Sequence, residues 1–143
     1  MTAGIVVSIA DVDDDYLLIE IHARNERFAG SSRVYGDPDE LTRLADRISG
    51  FPSHPTDERI YEFGSQDRNI AGGYVRLRFC CVDGVGHAAV DVMLEDDDAT
   101  YAIASAKFSL AVEAAAVDEF VMELIRLHRE RTGEAVLREA HIP

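Results

Sequence analysis

From Tyr74 to Val82 the chain alternates without a break, with Val75, Leu77, Phe79 and Cys81 on one side and Tyr74, Arg76, Arg78 and Cys80 on the other. Such a run predicts a half-buried strand, because a helix would spread the same apolar residues around its axis. Asp83-Gly84-Val85-Gly86 then offers a turn, and Ala88, Val90, Val92 and Leu94 repeat the pattern. Beyond the acidic stretch Glu95 to Asp98, the segment Tyr101 to Val112 sets Ala102, Ala104, Ala106, Phe108, Leu110 and Val112 against Ser105, Lys107 and Ser109. Three alternating runs joined this closely predict an antiparallel three-strand meander.

The first third of the chain reads the same way. Gly4 to Ala10 is a β-branched run that ends in Asp11-Val12-Asp13-Asp14-Asp15, and Tyr16 to Arg24 alternates with Leu17, Ile19, Ile21 and Ala23 on one face. The pair predicts a hairpin. Phe28 to Tyr35 is a candidate third strand, and Arg59 to Phe63 a shorter one before the loop Gly64 to Gly73. Two segments break the period-two pattern. Asp37-Pro38-Asp39-Glu40 is a helix-start signal in which Asp37 caps, Pro38 takes the first helical position and Glu40 reaches back. Leu41, Leu44, Ala45 and Ile48 follow at helical spacing, with Gly50 and Pro52 as the stop. A second helix is predicted from Val117, Phe120, Val121 and Leu124, with Arg126, Arg129 and Arg131 near its carbonyl end and Gly133 to close it. Glu134 to Pro143 is expected to add a helical turn or stay loose. One α+β domain spanning 1–143 hides all these stripes if a single antiparallel, meander-type sheet of about six or seven strands carries both helices on one face.

Charge narrows the choice of partner. Twenty-seven Asp and Glu against fourteen Lys and Arg give a formal net charge of −13. Nucleic acid and anionic membranes repel such a surface, whereas a basic protein is attracted and steered to it. No apolar run approaches the ~20 residues of a membrane span. The start, MTAGIVVSIADVDDD, has no cationic segment ahead of its apolar stretch, and Cys80 and Cys81 are adjacent and so point to opposite faces of a strand. Both features lead to the expectation of a reducing, cytoplasmic setting.

Catalytic signatures are absent: the chain has no GxSxG, Walker-type loop, GxGxxG or CxxC, and no two of its five histidines are spaced for zinc. Asp11, Asp13 and Asp15 have the first three spacings of a calcium loop, but Tyr16 stands where such a loop needs glycine and His22 where it needs glutamate. A solvated acidic turn is the favoured reading, with a weak divalent-cation site formed by loop oxygens as the other, and no cofactor or metal is expected. The face bearing Tyr74, Arg76 and Arg78, with His87, Asp91 and Met93 on the next strand, mixes aromatic, charged and sulfur groups of the kind found at interfaces. Its simpler reading is a solvated sheet face with a cross-strand pair such as Arg78–Asp91. The candidate partner-binding residues are therefore Asp13, Asp14, Asp15, Tyr74, Arg76, Arg78, His87, Asp91, Asp96 and Asp97. An exposed strand edge would also admit a second copy of the chain as a homodimer.

Val34-Tyr35, the helix with Leu41-Thr42-Arg43-Leu44-Ala45, Ser49-Gly50-Phe51-Pro52, the strand pair with Gly86-His87 and the closing helix from Glu113 to Leu124 together resemble a bacterial family of small proteins. Its relatives include the WapI-type immunity proteins of polymorphic-toxin systems. The resemblance covers roughly residues 16 to 130 and carries no catalytic residues. It implies an intracellular, non-catalytic inhibitor that neutralises a basic toxin by stoichiometric binding. The alternative is a small-ligand or regulatory module, expected to hold a pocket lined by Tyr61, Phe63, Phe79 or Phe108. A metal-assisted enzyme using Asp11 to Asp15 is a third class.

Overall fold

The alternating runs do form antiparallel strands, but they divide between two sheets instead of joining one. The computed structural model describes residues 3–67, 69–96 and 103–140. Strands β1 (Gly4–Val12), β2 (Leu17–Arg24) and β3 (Ala29–Gly36) lead into helix α1 (Glu40–Ile48). Strands β4 (Glu58–Gly64), β5 (Tyr74–Cys81), β6 (Ala88–Glu95) and β7 (Ser105–Val112) follow, then helix α2 (Ala114–Glu130) and strand β8 (Glu134–Arg138). One four-stranded sheet has the order β3-β2-β1-β8 and the other β4-β5-β6-β7. The expected beginning of β7 at Tyr101 and Ala102 lies outside the described residues.

Two stacked sheets solve the burial problem that one sheet with two short helices leaves open. Each strand has a single apolar face, and two such faces bury one another. Ile5, Val7, Leu17, Ile19, Ile21 and Val34 from the first sheet meet Phe63, Val75, Leu77, Phe79, Val90, Val92 and Leu110 from the second in one core. Phe51, from the loop after α1, stacks edge-to-face on Phe79 at 5.7 Å inside it. β3 touches all four strands of the second sheet and so runs across them. At one end of the second sheet, β3 passes over the strand ends: Ser32 Oγ donates to Glu95 O at 2.6 Å and Gly73 N to Arg33 O at 2.8 Å. At the opposite end, Ala140 N donates to Ala111 O at 2.7 Å.

The helices do not share one face of a sheet, as the sequence suggested. They pack on each other along the flank where β8 ends one sheet and β4 ends the other. Leu41, Leu44, Ala45 and Ile48 of α1 and Val117, Phe120, Leu124 and Leu127 of α2 face the core, matching their helical spacing.

Three local expectations are corrected. Glu134 to Arg138 is a strand, not a helical turn or a loose tail, and it pairs antiparallel with β1 through Ile5–Leu137 and Val7–Ala135. Its alternation puts Ala135 and Leu137 into the core, but with only five residues it has no stable partner except a strand some 130 residues away. At the start of α1 the N-cap is Asp39, without a side-chain capping bond, and Glu40 turns inward instead of reaching back to Asp37. α2 ends in a left-handed Arg131 (φ 62°), whose amide bonds to Leu127 O, two residues before the expected Gly133.

All four sheet edges carry a closing contact. Asn25 Nδ2 donates to Ser109 O and Ala140 N to Ala111 O along β7, and Glu123 Oε1 accepts from Val136 N along β8. Arg47 Nε donates to Ile60 O on β4, and Gly73 N to Arg33 O on β3.

Candidate partner-binding surfaces

The acidic residues singled out from sequence separate into different places. Asp13, Asp14 and Asp15 sit in the β1–β2 turn, all exposed, beside Asp11 at the end of β1. The turn is held locally, since Asp13 Oδ1 accepts from Asp15 N at 3.2 Å and Asp13 N donates to Tyr16 O at 3.0 Å. Among the described residues, no Lys or Arg forms an ion pair with any of these four carboxylates.

Next to them lies an aromatic pair that sequence reading passed over. The rings of Tyr16 and Tyr35 meet edge-to-face at 5.4 Å, and Tyr35 is 45% exposed. Asp11 and, more weakly, Asp13 push the Tyr16 hydroxyl above the usual tyrosine range, because an ionised phenol there would face their charge. The visible signal is a tyrosine flanking each end of the β2–β3 pair, but only the register Leu18–Tyr35 brings the two rings together.

The patch continues past Tyr35. A Cβ added to Gly72 would lie 2.9 Å from the Tyr35 ring, so the 65–73 loop is directly against it. Ser65, Gln66, Asp67, Glu95 and Asp96 line a cleft of about 250 Å³ beneath that loop, with exposed Ile70 beside it. Asp96 thus reaches the same end of the molecule as Asp13 to Asp15, through Tyr16, Tyr35 and the loop. Asp97 lies outside the described residues. Tyr74 is a correction: expected on an open face, it is 4% exposed, lining the same cleft while its hydroxyl donates to Glu62 at 2.6 Å. Burial and Glu62 push that hydroxyl up to about 12.

Arg76, Arg78 and Asp91 do share the outer face of the β4–β7 sheet. Arg78 Nη1 lies 2.7 Å from Asp91 Oδ2, and Arg78 Nε lies 2.7 Å from Glu58 Oε2. Partial burial opposes ionisation of Asp91, but Ser109 Oγ at 2.6 Å and Arg78 outweigh it and hold the carboxyl below its ordinary range. The Cys80 thiol on this face is pushed up by burial and by Asp91, which disfavours a nucleophilic thiolate. His87 stands apart, in the β5–β6 turn, paired through Nδ1 with Asp83. That hydrogen bond, with one from Val85 N, lowers the Asp83 carboxyl.

Of the four aromatics expected to line a small-ligand pocket, Tyr61 lines an open cleft of about 540 Å³ with Arg43, Asp46, Arg47 and Arg59, and the other three do not. Phe63, Phe79 and Phe108 are buried in the core, and Tyr61 is bound to Glu40. Among the described residues, no group of three or more His, Cys, Asp or Glu converges as metal ligands. No family model, no curated protein and no solved structure matches this chain.

Proposed function

We propose that this chain is a non-catalytic acidic binding protein that neutralises a basic protein by stoichiometric binding, as an immunity protein does to its toxin. One observation carries the reading: the exposed carboxylates of Asp11, Asp13, Asp14 and Asp15 stand without ion-paired cations among the described residues, beside the exposed ring of Tyr35. A tyrosine buries large area at low entropic cost, and surrounding carboxylates steer a cationic partner and set its register. Where the partner is a nuclease, those carboxylates occupy the groove that otherwise takes substrate phosphates. The likeness to the WapI-type immunity family supports the same class.

The test is co-expression with the products of the genes that flank this one, a basic toxin among them being the expected partner. A one-to-one complex and restored growth are expected. The triple variant Asp13→Asn, Asp14→Asn, Asp15→Asn is expected to weaken the complex by at least about tenfold, since several steering charges go at once. No complex and no rescue would sink the proposal.

A further inference from the structure

The 65–73 loop covers one end of the outer face of the β4–β7 sheet, at Tyr74 and Glu95; beyond it no described residue covers the face, and its charges run in columns. β4 presents Glu58 and Glu62; β5 presents Arg76 and Arg78; β6 presents Asp91 and Glu95; β7 presents Lys107. Four carboxylates against three cations leave −1 on this face, in a chain of net charge −13. A second copy approaching by the acidic end is repelled, whereas one approaching by this face meets almost no net charge.

We propose that this face is a homodimer interface, with a second copy docked sheet to sheet about a two-fold axis parallel to the strands, between β5 and β6. Such an axis lays β5 of each copy on β6 of the other and β4 on β7. The register supplies the contacts. Glu62, Arg76, Met93 and Lys107 form one row across the sheet, so Glu62 of each copy meets Lys107 of the other and Arg76 meets Met93. In the next row Arg78 meets Asp91, and in the third Cys80 meets Ala89, both small enough to let the sheets close. Every acidic column is set against a basic or neutral one. A two-fold axis perpendicular to the strands does the opposite, laying the Arg76–Arg78 column on itself and Glu58 and Glu62 on one another. Charge therefore selects the orientation.

The size suits a weak dimer. Four strands at about 4.8 Å and eight residues at about 3.3 Å span roughly 20 by 25 Å in plan. That is about 500 Å² in plan before side-chain relief, the range of a weak, concentration-dependent dimer. Packed sheets tilt by about 30°, so contacts near the axis close most tightly, and the long Glu62 and Lys107 side chains absorb the offset at the edges. The edge contacts described above leave this face, and not strand addition, as the broad route to self-association. The inference does not rest on the partner-binding reading.

Sedimentation velocity on the full chain over a concentration series tests it. The wild type is expected to shift from one to two chain masses as concentration rises. Lys107→Glu, on an exposed residue, is expected to weaken the dimer by at least about tenfold by setting Glu against Glu62 of the other copy. The double variant Glu62→Lys, Lys107→Glu is expected to restore it. Glu62 and Lys107 sit three strands apart, about 14 Å, too far to pair within one chain, so the rescue reads contact between copies. In a Cys81→Ser background, a short bis-maleimide is expected to link Cys80 to Cys80 and to fail once Lys107→Glu is added. A chain that stays monomeric overturns the proposal. So does a dimer that Lys107→Glu leaves intact, or one that the double variant fails to restore.

Discussion

Glu40 is 7% exposed at the start of α1, and its Oε2 accepts a hydrogen bond from the hydroxyl of Tyr61 on β4, with Arg43 Nη2 3.1 Å away. The bond ties the first helix to the edge strand of the second sheet. Burial, then Glu40, pushes the Tyr61 hydroxyl well above the usual tyrosine range. Tyr61→Phe is expected to lower unfolding stability by about 1–2 kcal/mol in urea titration, because Glu40 stays buried with one donor fewer. Since the folded-state pKa is the higher one, this contribution is complete below about pH 10 and fades as pH rises beyond it. The wild-type advantage over Tyr61→Phe should shrink in alkali and be flat at neutral pH.

Asp57 offers the opposite sign. Its carboxylate, 6% exposed, accepts from Arg59 Nη2 at 2.8 Å, Arg59 Nε at 3.0 Å and Ser53 N at 2.8 Å. The Arg59 hydrogen bonds, with those of Ser53, hold the carboxyl far below its ordinary range against the cost of burial. A lowered folded-state pKa means the contribution is complete above the unfolded value near pH 4 and is lost as pH falls below it. Asp57→Asn is expected to cost about 3 kcal/mol at pH 7 by leaving the Arg59 charge half-buried and unpaired. Melting curves at pH 7 and pH 3 check this: the gap between variant and wild type narrows at the lower pH.

The crossing of β3 over the second sheet rests on the absence of a side chain at Gly73. A Cβ there would stand 2.1 Å from Ser32 Oγ and 2.5 Å from Glu95 O. Gly73→Ala is expected to destabilise by about 2–3 kcal/mol, since carbonyl and strand must both shift. Gly84, in the β5–β6 turn, has nothing within 4 Å of its added Cβ. Gly84→Ala is expected to stay within about 0.5 kcal/mol of wild type. Equal effects at the two sites in thermal melts would contradict the crossing.

At the acidic end, association with the basic partner is expected to be strongly salt-dependent in its on-rate. Raising ionic strength from about 0.05 to 0.5 M should slow association at least tenfold, with dissociation changing far less. Tyr35→Ala should do the reverse, raising the off-rate while leaving the salt slope unchanged. Stopped-flow or surface-based kinetics separate the two.

Period-two alternation marked β2, β5 and β6 to within a residue or two, and helical spacing marked the buried faces of both helices. Those patterns are local: each residue's environment follows from neighbours two to four positions away. Arg78 facing Asp91 was legible for the same reason, because a short turn sets the register between consecutive strands. The Tyr16–Tyr35 pair was not, since it depends on how β3 follows β2. Nor was β8, whose five residues acquire a strand's environment only beside β1. Glu40 was misread as a capping residue because nothing nearby in sequence announces Tyr61, twenty-one positions on.

Alternation, helix periodicity and the carboxylate excess were therefore determined by the sequence alone: antiparallel strands, two amphipathic helices and an acidic surface. The division into two crossed sheets, the burial of Tyr74 and the gathering of Asp13 to Asp15 beside Tyr35 were decided by tertiary structure. Strand periodicity specifies which face a residue takes but not which sheet it joins. That choice is made by contacts between distant segments, where β3 meets the strand ends at Gly73 and β8 closes against β1.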